Sequence, residues 1–116
     1  MSNSILKAVD ATTVRGWLNE NRAVLIDIRE ADEHALEHIA EARLMPLSGF
    51  DSIDYSHEHD KIAVFHCKMG GRTSSAAQQI LNIGLGEVYQ LEGGIQAWKA
   101  AGFPCGRTSG HYGENP

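Results

Sequence analysis

The fold is decided by one segment, Lys61-Ile62-Ala63-Val64-Phe65-His66-Cys67-Lys68-Met69-Gly70-Gly71-Arg72-Thr73. Its first six residues are nearly all apolar and have the length of a strand that is covered on both faces. A glycine-containing loop follows, and apolar residues at helical spacing then predict a helix from about Ser74 to Ile83. A strand, a loop and a helix in this order are typical of a βαβ unit in a parallel sheet.

The same alternation of strand and helix patterns recurs on both sides of this segment. Further strands are expected at Ile5–Val9, Ala23–Ile28, Ala42–Met45 and Val88–Leu91. Helices are expected after an Asp10 cap, at Glu30–Ile39 and at Ile95–Ala101, and residues 48–60 are expected to be irregular. The pattern therefore predicts an α/β domain with a central parallel sheet and helices on both faces.

Length and charge narrow the classes of function. The chain has 116 residues and a net charge of −5, without clustered lysines and arginines, so one domain is expected and nucleic acid is not an expected partner. No apolar stretch reaches the roughly 18–20 residues of a membrane span, and the first residues do not resemble a secretory signal. A cytoplasmic protein that does not bind membranes is the expectation.

The loop after Lys61–His66 combines a cysteine with features that bind anions. Cys67 stands at the carboxyl end of a buried strand, the edge where open α/β sheets place their ligand sites. Glycines at positions 70 and 71 allow positive φ angles, so that successive N–H groups can point inward. Those amides, with Lys68 and Arg72, would lower the pKa of the Cys67 thiol and hold an incoming anion. Thr73 would cap the following helix or donate to the substrate.

Each of these residues also has a purely structural interpretation. Cysteine is among the most frequently buried residue types, and two glycines commonly form a turn. The combination of strand, cysteine, glycines, arginine and helix start favours a nucleophile over a core residue.

Three segments resemble the family of single-domain rhodanese-like sulfurtransferases. The first runs from Leu25 to Glu30, with Glu33, His38-Ile39 and residues 42–46. The second is Cys67 to Thr73, which matches the family's C-x-x-G-x-R-[ST] loop. The third is Leu91 to Ile95, with Ala97-Trp98, Gly102 and Pro104. The resemblance implies a three-layer sandwich with a mostly parallel five-stranded sheet in residues 1–105. From Gly106 onward the glycine, serine, asparagine and proline residues predict a flexible tail, 106–116.

What the resemblance implies chemically is a sulfur relay. Cys67 would take sulfane sulfur from thiosulfate or a persulfide donor, hold it as a persulfide, and pass it to cyanide or a thiol, including a protein thiol. The implied substrate-binding residues are Lys68, Met69, Gly70, Gly71, Arg72, Thr73 and Arg29. No cofactor and no metal are implied.

Two other functions remain open on sequence grounds. Phosphatases of a similar fold place five residues between the cysteine and the arginine, whereas Cys67 and Arg72 enclose four. A phosphatase or arsenate reductase is therefore disfavoured. A persulfide carrier that turns over small molecules poorly is an alternative, because carrier and enzyme need the same stabilised persulfide.

The chain departs from the family pattern at two glycines. Glu37 and Glu41 stand where the family usually has glycine on either side of His38-Ile39-Ala40, which affects the local turn and the entrance surface. Asp27 and Arg29 resemble the family's Asp-x-Arg. Asp27 is expected to be structural because a charge within a buried strand needs a partner, and Arg29 is a candidate substrate contact.

Several further signals have weaker implications. His34 and His38 fit an H-x-x-E-H metal pattern without an identifiable third ligand. Residues His57 to Asp60 are interpreted as a solvated loop. His66 should point away from Cys67 and be buried and hydrogen-bonded. Cys105 is interpreted as an idle thiol, with a disulfide or trisulfide to Cys67 as the alternative.

Overall fold

A computed structural model describes residues 6–52, 61–82 and 87–106 of the chain. Within these ranges five strands form one sheet: β1 (Ala8–Val9), β2 (Ala23–Asp27), β3 (Ala42–Leu44), β4 (Ile62–His66) and β5 (Val88–Leu91). Their order is β1-β5-β4-β2-β3, and every neighbouring pair is parallel. The predicted five-stranded parallel sheet is confirmed, and β4 lies at its centre.

Helices lie in the connections between strands, and one further helix follows the last strand, β5. They are α1 (Ala11–Asn19), α2 (Ala31–Leu36), α3 (Gly71–Ser75), α4 (Ala77–Asn82) and α5 (Gly94–Ala100), with a short 3₁₀ helix at Leu47–Ser52. Asp10 caps α1, because its side chain accepts a hydrogen bond from the Thr13 amide at 2.9 Å. No helix in the described part of the chain is both long and apolar enough to span a membrane.

Side chains alternate along the strands, so the sheet has a hydrophobic core on each face. Residues of β2 and β4 that include Ile26 and Phe65 pack with Ile80 of α4 on one face. Leu25 and Val64 belong to the opposite face, where α1 and α5 contribute these buried side chains: Ala11, Val14, Ile95 and Trp98. Helices on both faces, as predicted, hold β4 rigidly, and the site at its carboxyl end is built on this support.

The helix after the cysteine loop differs from the prediction. It begins at Gly71 rather than about Ser74, because Gly70 alone supplies the chain reversal with a φ of 104°. It is then interrupted at Ala76, whose amide donates to both Arg72 and Thr73 carbonyls, and it resumes as α4. The predicted irregular segment 48–60 is a 3₁₀ helix as far as Ser52, and residues 53–60 lie outside the described ranges.

The predicted tail, 106–116, and the predicted end of the helix at Ile83 fall largely on residues that the structure does not describe. Gly106, the first residue of that tail, is described. It forms an antiparallel bridge with His38, with both backbone bonds at 2.8 Å.

Candidate active site

Cys67 follows β4 directly, at the carboxyl edge of the sheet where the prediction placed it. The residue is 1% exposed. Lys68 and Met69, the next two residues, are exposed, so the thiol is buried beneath a surface loop.

The loop directs backbone donors at the sulfur. The Gly70 amide donates to the Cys67 Sγ at 3.1 Å, and the positive φ of Gly70 makes this turn possible. The expectation of positive φ at Gly71 is wrong, since Gly71 is the first residue of α3. One glycine is therefore sufficient for the turn.

The N-terminus of α5 holds the start of the loop from the other side. The Ile95 amide donates to the Cys67 carbonyl at 3.0 Å, and the Gln96 amide donates to the Lys68 carbonyl at 3.1 Å. Gly94 makes this approach possible, because a Cβ there would lie 2.5 Å from each of those carbonyl oxygens. The loop carbonyls are thus turned toward α5, which leaves loop amides free to face the sulfur.

These donors lower the pKa of the Cys67 thiol below its ordinary value. Burial acts in the opposite direction and raises the pKa, but it is outweighed by donors to the sulfur. The strongest is the Thr73 hydroxyl, followed by the backbone amides of Thr73, Gly70 and Arg72. The site therefore stabilises the thiolate more than an ordinary cysteine environment does.

Thr73 does not cap a helix, and that part of the prediction is wrong. The cap position belongs to Gly70, and Thr73 is buried in the first turn of α3. Within the described residues its hydroxyl has no partner that satisfies full hydrogen-bond geometry. It is nevertheless close enough to act on the thiolate. A buried hydroxyl with no other partner is available to a developing negative charge at the sulfur.

Arg72 has a partner that the sequence analysis did not assign. Its two terminal nitrogens donate to the Glu33 carboxylate at 2.7 and 2.8 Å. This bidentate pair lowers the pKa of Glu33 to about 2. Glu33 was noted only as part of the first family segment, and nothing in that segment indicates a pairing with Arg72.

Asp27 is the centre of a buried charge cluster, as its position in a covered strand predicts. It accepts two side-chain hydrogen bonds from Arg29 at 2.9 and 2.8 Å and one contact from the His34 Nδ1 at 2.8 Å. Burial raises the pKa of Asp27, but Arg29, His66 and His34 together hold it at about 2. Arg29 is 4% exposed and also donates to the Glu37 carbonyl, so its guanidinium is largely committed to the fold.

His66 is fully buried next to the active cysteine, in agreement with the prediction. Its Nδ1 lies 3.0 Å from the Cys67 carbonyl oxygen and its Nε2 lies 3.9 Å from Asp27. Burial lowers its pKa, which favours the neutral imidazole. His66 therefore positions the backbone at Cys67 and does not face the sulfur.

The two histidines of the metal pattern are engaged in other contacts. Their rings stack with centroids 4.0 Å apart, and the Nδ1 of His38 bonds to the His34 carbonyl at 2.7 Å. In residues 6–52, 61–82 and 87–106, no three acidic, histidine or cysteine side chains are grouped as a metal site.

Both cysteines are free thiols in this structure. Cys67 belongs to the core on the α4 face, whereas Cys105 packs against the core on the α5 face. Burial raises the pKa of Cys105, in contrast to that of Cys67. The two thiols thus differ in environment as well as in place.

Comparison with protein families gives one match that covers most of the chain. A family described as the rhodanese-like domain matches residues 10–101. This range contains the cysteine loop, Glu33 and Gly94, the residues that shape the site.

Individual relatives agree with this match. An uncharacterized protein of Synechocystis is 33% identical over 83% of this chain, and the chain spans about half (54%) of that protein's length. The thiosulfate sulfurtransferase GlpE of Ectopseudomonas mendocina is 32% identical over 80% of this chain and 84% of GlpE. The crystal structure of a rhodanese-related protein from Thermoplasma volcanium superposes with a TM-score of 0.73, at 27% identity, over 86% of this chain and 97% of that one.

Proposed function

The chain belongs to the rhodanese-like family, and from this premise we propose that it is a sulfurtransferase that carries sulfane sulfur on Cys67. The observation that carries the proposal is the Gly70 amide, which donates to the Cys67 sulfur at 3.1 Å, together with the buried Thr73 hydroxyl, which has no other partner in the described residues. Donors that stabilise a thiolate also stabilise the terminal charge of a persulfide.

The transfer has two balanced steps. The Cys67 thiolate attacks the outer sulfur of thiosulfate, the S–S bond breaks, and sulfite leaves with the bonding electron pair. A cyanide ion or a thiolate then attacks the outer sulfur of the Cys67 persulfide, and Cys67 leaves as the thiolate. No net oxidation and no cofactor are needed.

The remaining loop residues bind the donor in this proposal. The amides of residues 68–73 stabilise the charge, with Lys68 and Arg72 as the cations nearest the loop and Met69 on its exposed surface. Arg72 acts while it is held by Glu33, so it contributes its charge and position more than its free donors. Arg29 lines a groove beside the cysteine loop, and it acts on the donor at a distance from the sulfur.

The test is thiocyanate production from thiosulfate and cyanide. We expect Cys67→Ala to abolish it and Cys105→Ser to retain most of it. The serine variant is the matched control, since it removes the other thiol of the chain. Unchanged production by the Cys67→Ala protein would contradict the proposal.

A persulfide carrier is a second candidate, favoured by the burial of Cys67 at 1% exposure. A covered sulfur is shielded from small acceptors until a partner opens the loop. The two candidates differ in one measurement. A carrier accepts sulfur on Cys67 from a persulfide donor but forms thiocyanate slowly, whereas an enzyme does both.

A further inference from the structure

A groove of about 200 Å³ opens beside the cysteine loop. It is lined by Lys68 of the loop, by Gln96 and Lys99 of α5, and by Glu37. Because the Gln96 amide holds the Lys68 carbonyl, the groove adjoins the part of the loop that covers the sulfur. A substrate that reaches Cys67 through an opened loop would have room here for the part of the molecule that does not react.

The charges in this groove are mostly paired. Three cations line it, and two of them have a carboxylate partner: Arg29 with Asp27 and Lys99 with Glu37. The ammonium of Lys68 has no such partner in the described part of the chain. Among the described residues that line the groove, Lys68 is therefore the cation without a carboxylate partner.

The Glu37 carboxylate is only partly engaged. One oxygen accepts from the Lys99 Nζ at 2.9 Å, and both side chains of this pair are more than 40% exposed. Among the residues with described positions, no other side chain donates to Glu37. Its second oxygen thus keeps the capacity to accept a hydrogen bond, and Glu37 is one of the residues that line the groove.

Glu37 is also a departure of this chain from the family's usual glycine. The second departure, Glu41, pairs with Arg15 at 2.6 Å and does not line the groove. Of the two glutamates, only Glu37 adds a charge beside the cysteine loop. Glu37 therefore adds a carboxylate to the lining of the groove.

We propose that Glu37 and Lys68 select a zwitterionic persulfide donor, the persulfide of an amino acid or a short peptide with a free amino group. Lys68 binds the donor's carboxylate and Glu37 binds its ammonium, so that the persulfide points to the loop. This inference rests on the proposed function of Cys67. It assigns to Glu37 a role in substrate specificity.

The reaction with such a donor is balanced without any further reactant. The Cys67 thiolate attacks the outer sulfur of R–S–S⁻, the S–S bond breaks, and R–S⁻ leaves with the bonding pair. Cys67 then carries the persulfide. The ammonium and carboxylate of R do not react and serve only to bind.

Two donors that differ in one charge test the inference. Cysteine persulfide has both an ammonium and a carboxylate, whereas N-acetylcysteine persulfide has only the carboxylate. Loading of Cys67 is followed by quenching with an alkylating agent and mass spectrometry, in a Cys105→Ser background. We expect cysteine persulfide to load faster by about five-fold, the effect of one partly exposed charge-assisted bond.

Three variants separate the contributions. Glu37→Gln should remove the preference, because it slows cysteine persulfide and leaves Lys99 unpaired, which should accelerate the purely anionic donors, N-acetylcysteine persulfide and thiosulfate. Lys68→Met should slow both persulfides by similar factors, since both carry a carboxylate. Glu41→Gln is the matched control, because it also removes a glutamate at a usual glycine position, and it should change neither rate.

The outcomes separate this inference from the proposed function. If neither persulfide nor thiosulfate loads Cys67, the proposed function fails and the inference fails with it. If both persulfides load Cys67 at equal rates, or if Glu37→Gln changes both equally, sulfur transfer stands and the role of Glu37 is overturned. Loss of the preference in Glu37→Gln alone supports it.

Discussion

Gly94 faces the carbonyl oxygen of Cys67 so closely that a Cβ on residue 94 would stand 2.5 Å from it. The two residues lie on different elements, the start of α5 and the end of β4. The amides that follow Gly94 bind the first two carbonyls of the cysteine loop. The conformation of the loop is thus set from outside the loop.

Gly94→Ala should disrupt this contact. The φ of 62° and the clash with two backbone carbonyls both oppose a side chain, so we expect a loss of about 1–3 kcal/mol in the free energy of unfolding. Because the loop must shift, the pKa of Cys67 should also rise. Urea denaturation and the pH dependence of Cys67 alkylation measure the two effects.

Gly16→Ala is the matched control for this substitution. Gly16 lies inside α1, and a Cβ there meets nothing within 4 Å. We expect it to stabilise the protein by about 0.5–1 kcal/mol, the difference in helix propensity. Equal stability changes in the two variants would contradict the account of Gly94.

Asp27→Asn should destabilise the protein strongly. It retains the shape of the side chain but leaves the guanidinium of Arg29 buried at 4% exposure without its counter-ion. Removing one partner of a buried pair costs about 3–5 kcal/mol. In the exposed pair of Arg22 and Glu20, Glu20→Gln should change stability by no more than about 1 kcal/mol. Similar losses in both variants would show that burial is not the cause.

The same carboxylate predicts how stability changes in acid. The pKa of Asp27 is about 2 in the folded protein and about 4 in an unfolded chain, so the unfolded state binds the proton first as the pH falls. The contribution of Asp27 is complete above about pH 4 and is lost progressively toward about pH 2. The slope of unfolding free energy against pH in this window should be smaller in Asp27→Asn. An unchanged slope would place the titration on other groups.

Thr73→Val tests whether the Thr73 hydroxyl stabilises the Cys67 thiolate. Because the hydroxyl has no other hydrogen-bond partner in the described residues, its loss should leave stability nearly unchanged. It should move the midpoint of Cys67 alkylation to higher pH, since the strongest donor to the thiolate is gone. Thr73→Ser keeps the hydroxyl and should keep the midpoint near that of the wild-type protein. A valine variant with the wild-type midpoint would show that the Thr73 hydroxyl does not stabilise the thiolate.

Much of this fold follows from local sequence patterns. Continuous apolar runs such as Ala23–Ile28 indicate covered strands, and Asp10 before an amphipathic segment predicts a helix start. The position of Cys67 follows from its place directly after a strand, because parallel strands bring their carboxyl ends to one edge. These inferences need only residues that are close together in the chain.

The parts that sequence reasoning missed depend on contacts between distant segments. The pairing of Arg72 with Glu33 joins residues 39 positions apart, and no local pattern indicates it. The support of the loop by Gly94 was missed for the same reason, although the family's closing segment contains this glycine. The predictions of a helix cap at Thr73 and of a positive φ at Gly71 were wrong, because one left-handed residue, Gly70, was enough to start the helix.

The most direct test of the account is the mass of the Cys67 peptide after the Cys105→Ser protein has been incubated with a sulfur donor. Thiosulfate and cysteine persulfide are each used, and excess donor is removed before digestion without reductant. The account predicts a gain of about 32 Da, one sulfur atom, on Cys67, and its loss on addition of cyanide with formation of thiocyanate. A Cys67 peptide that keeps its original mass with both donors would contradict the central claim.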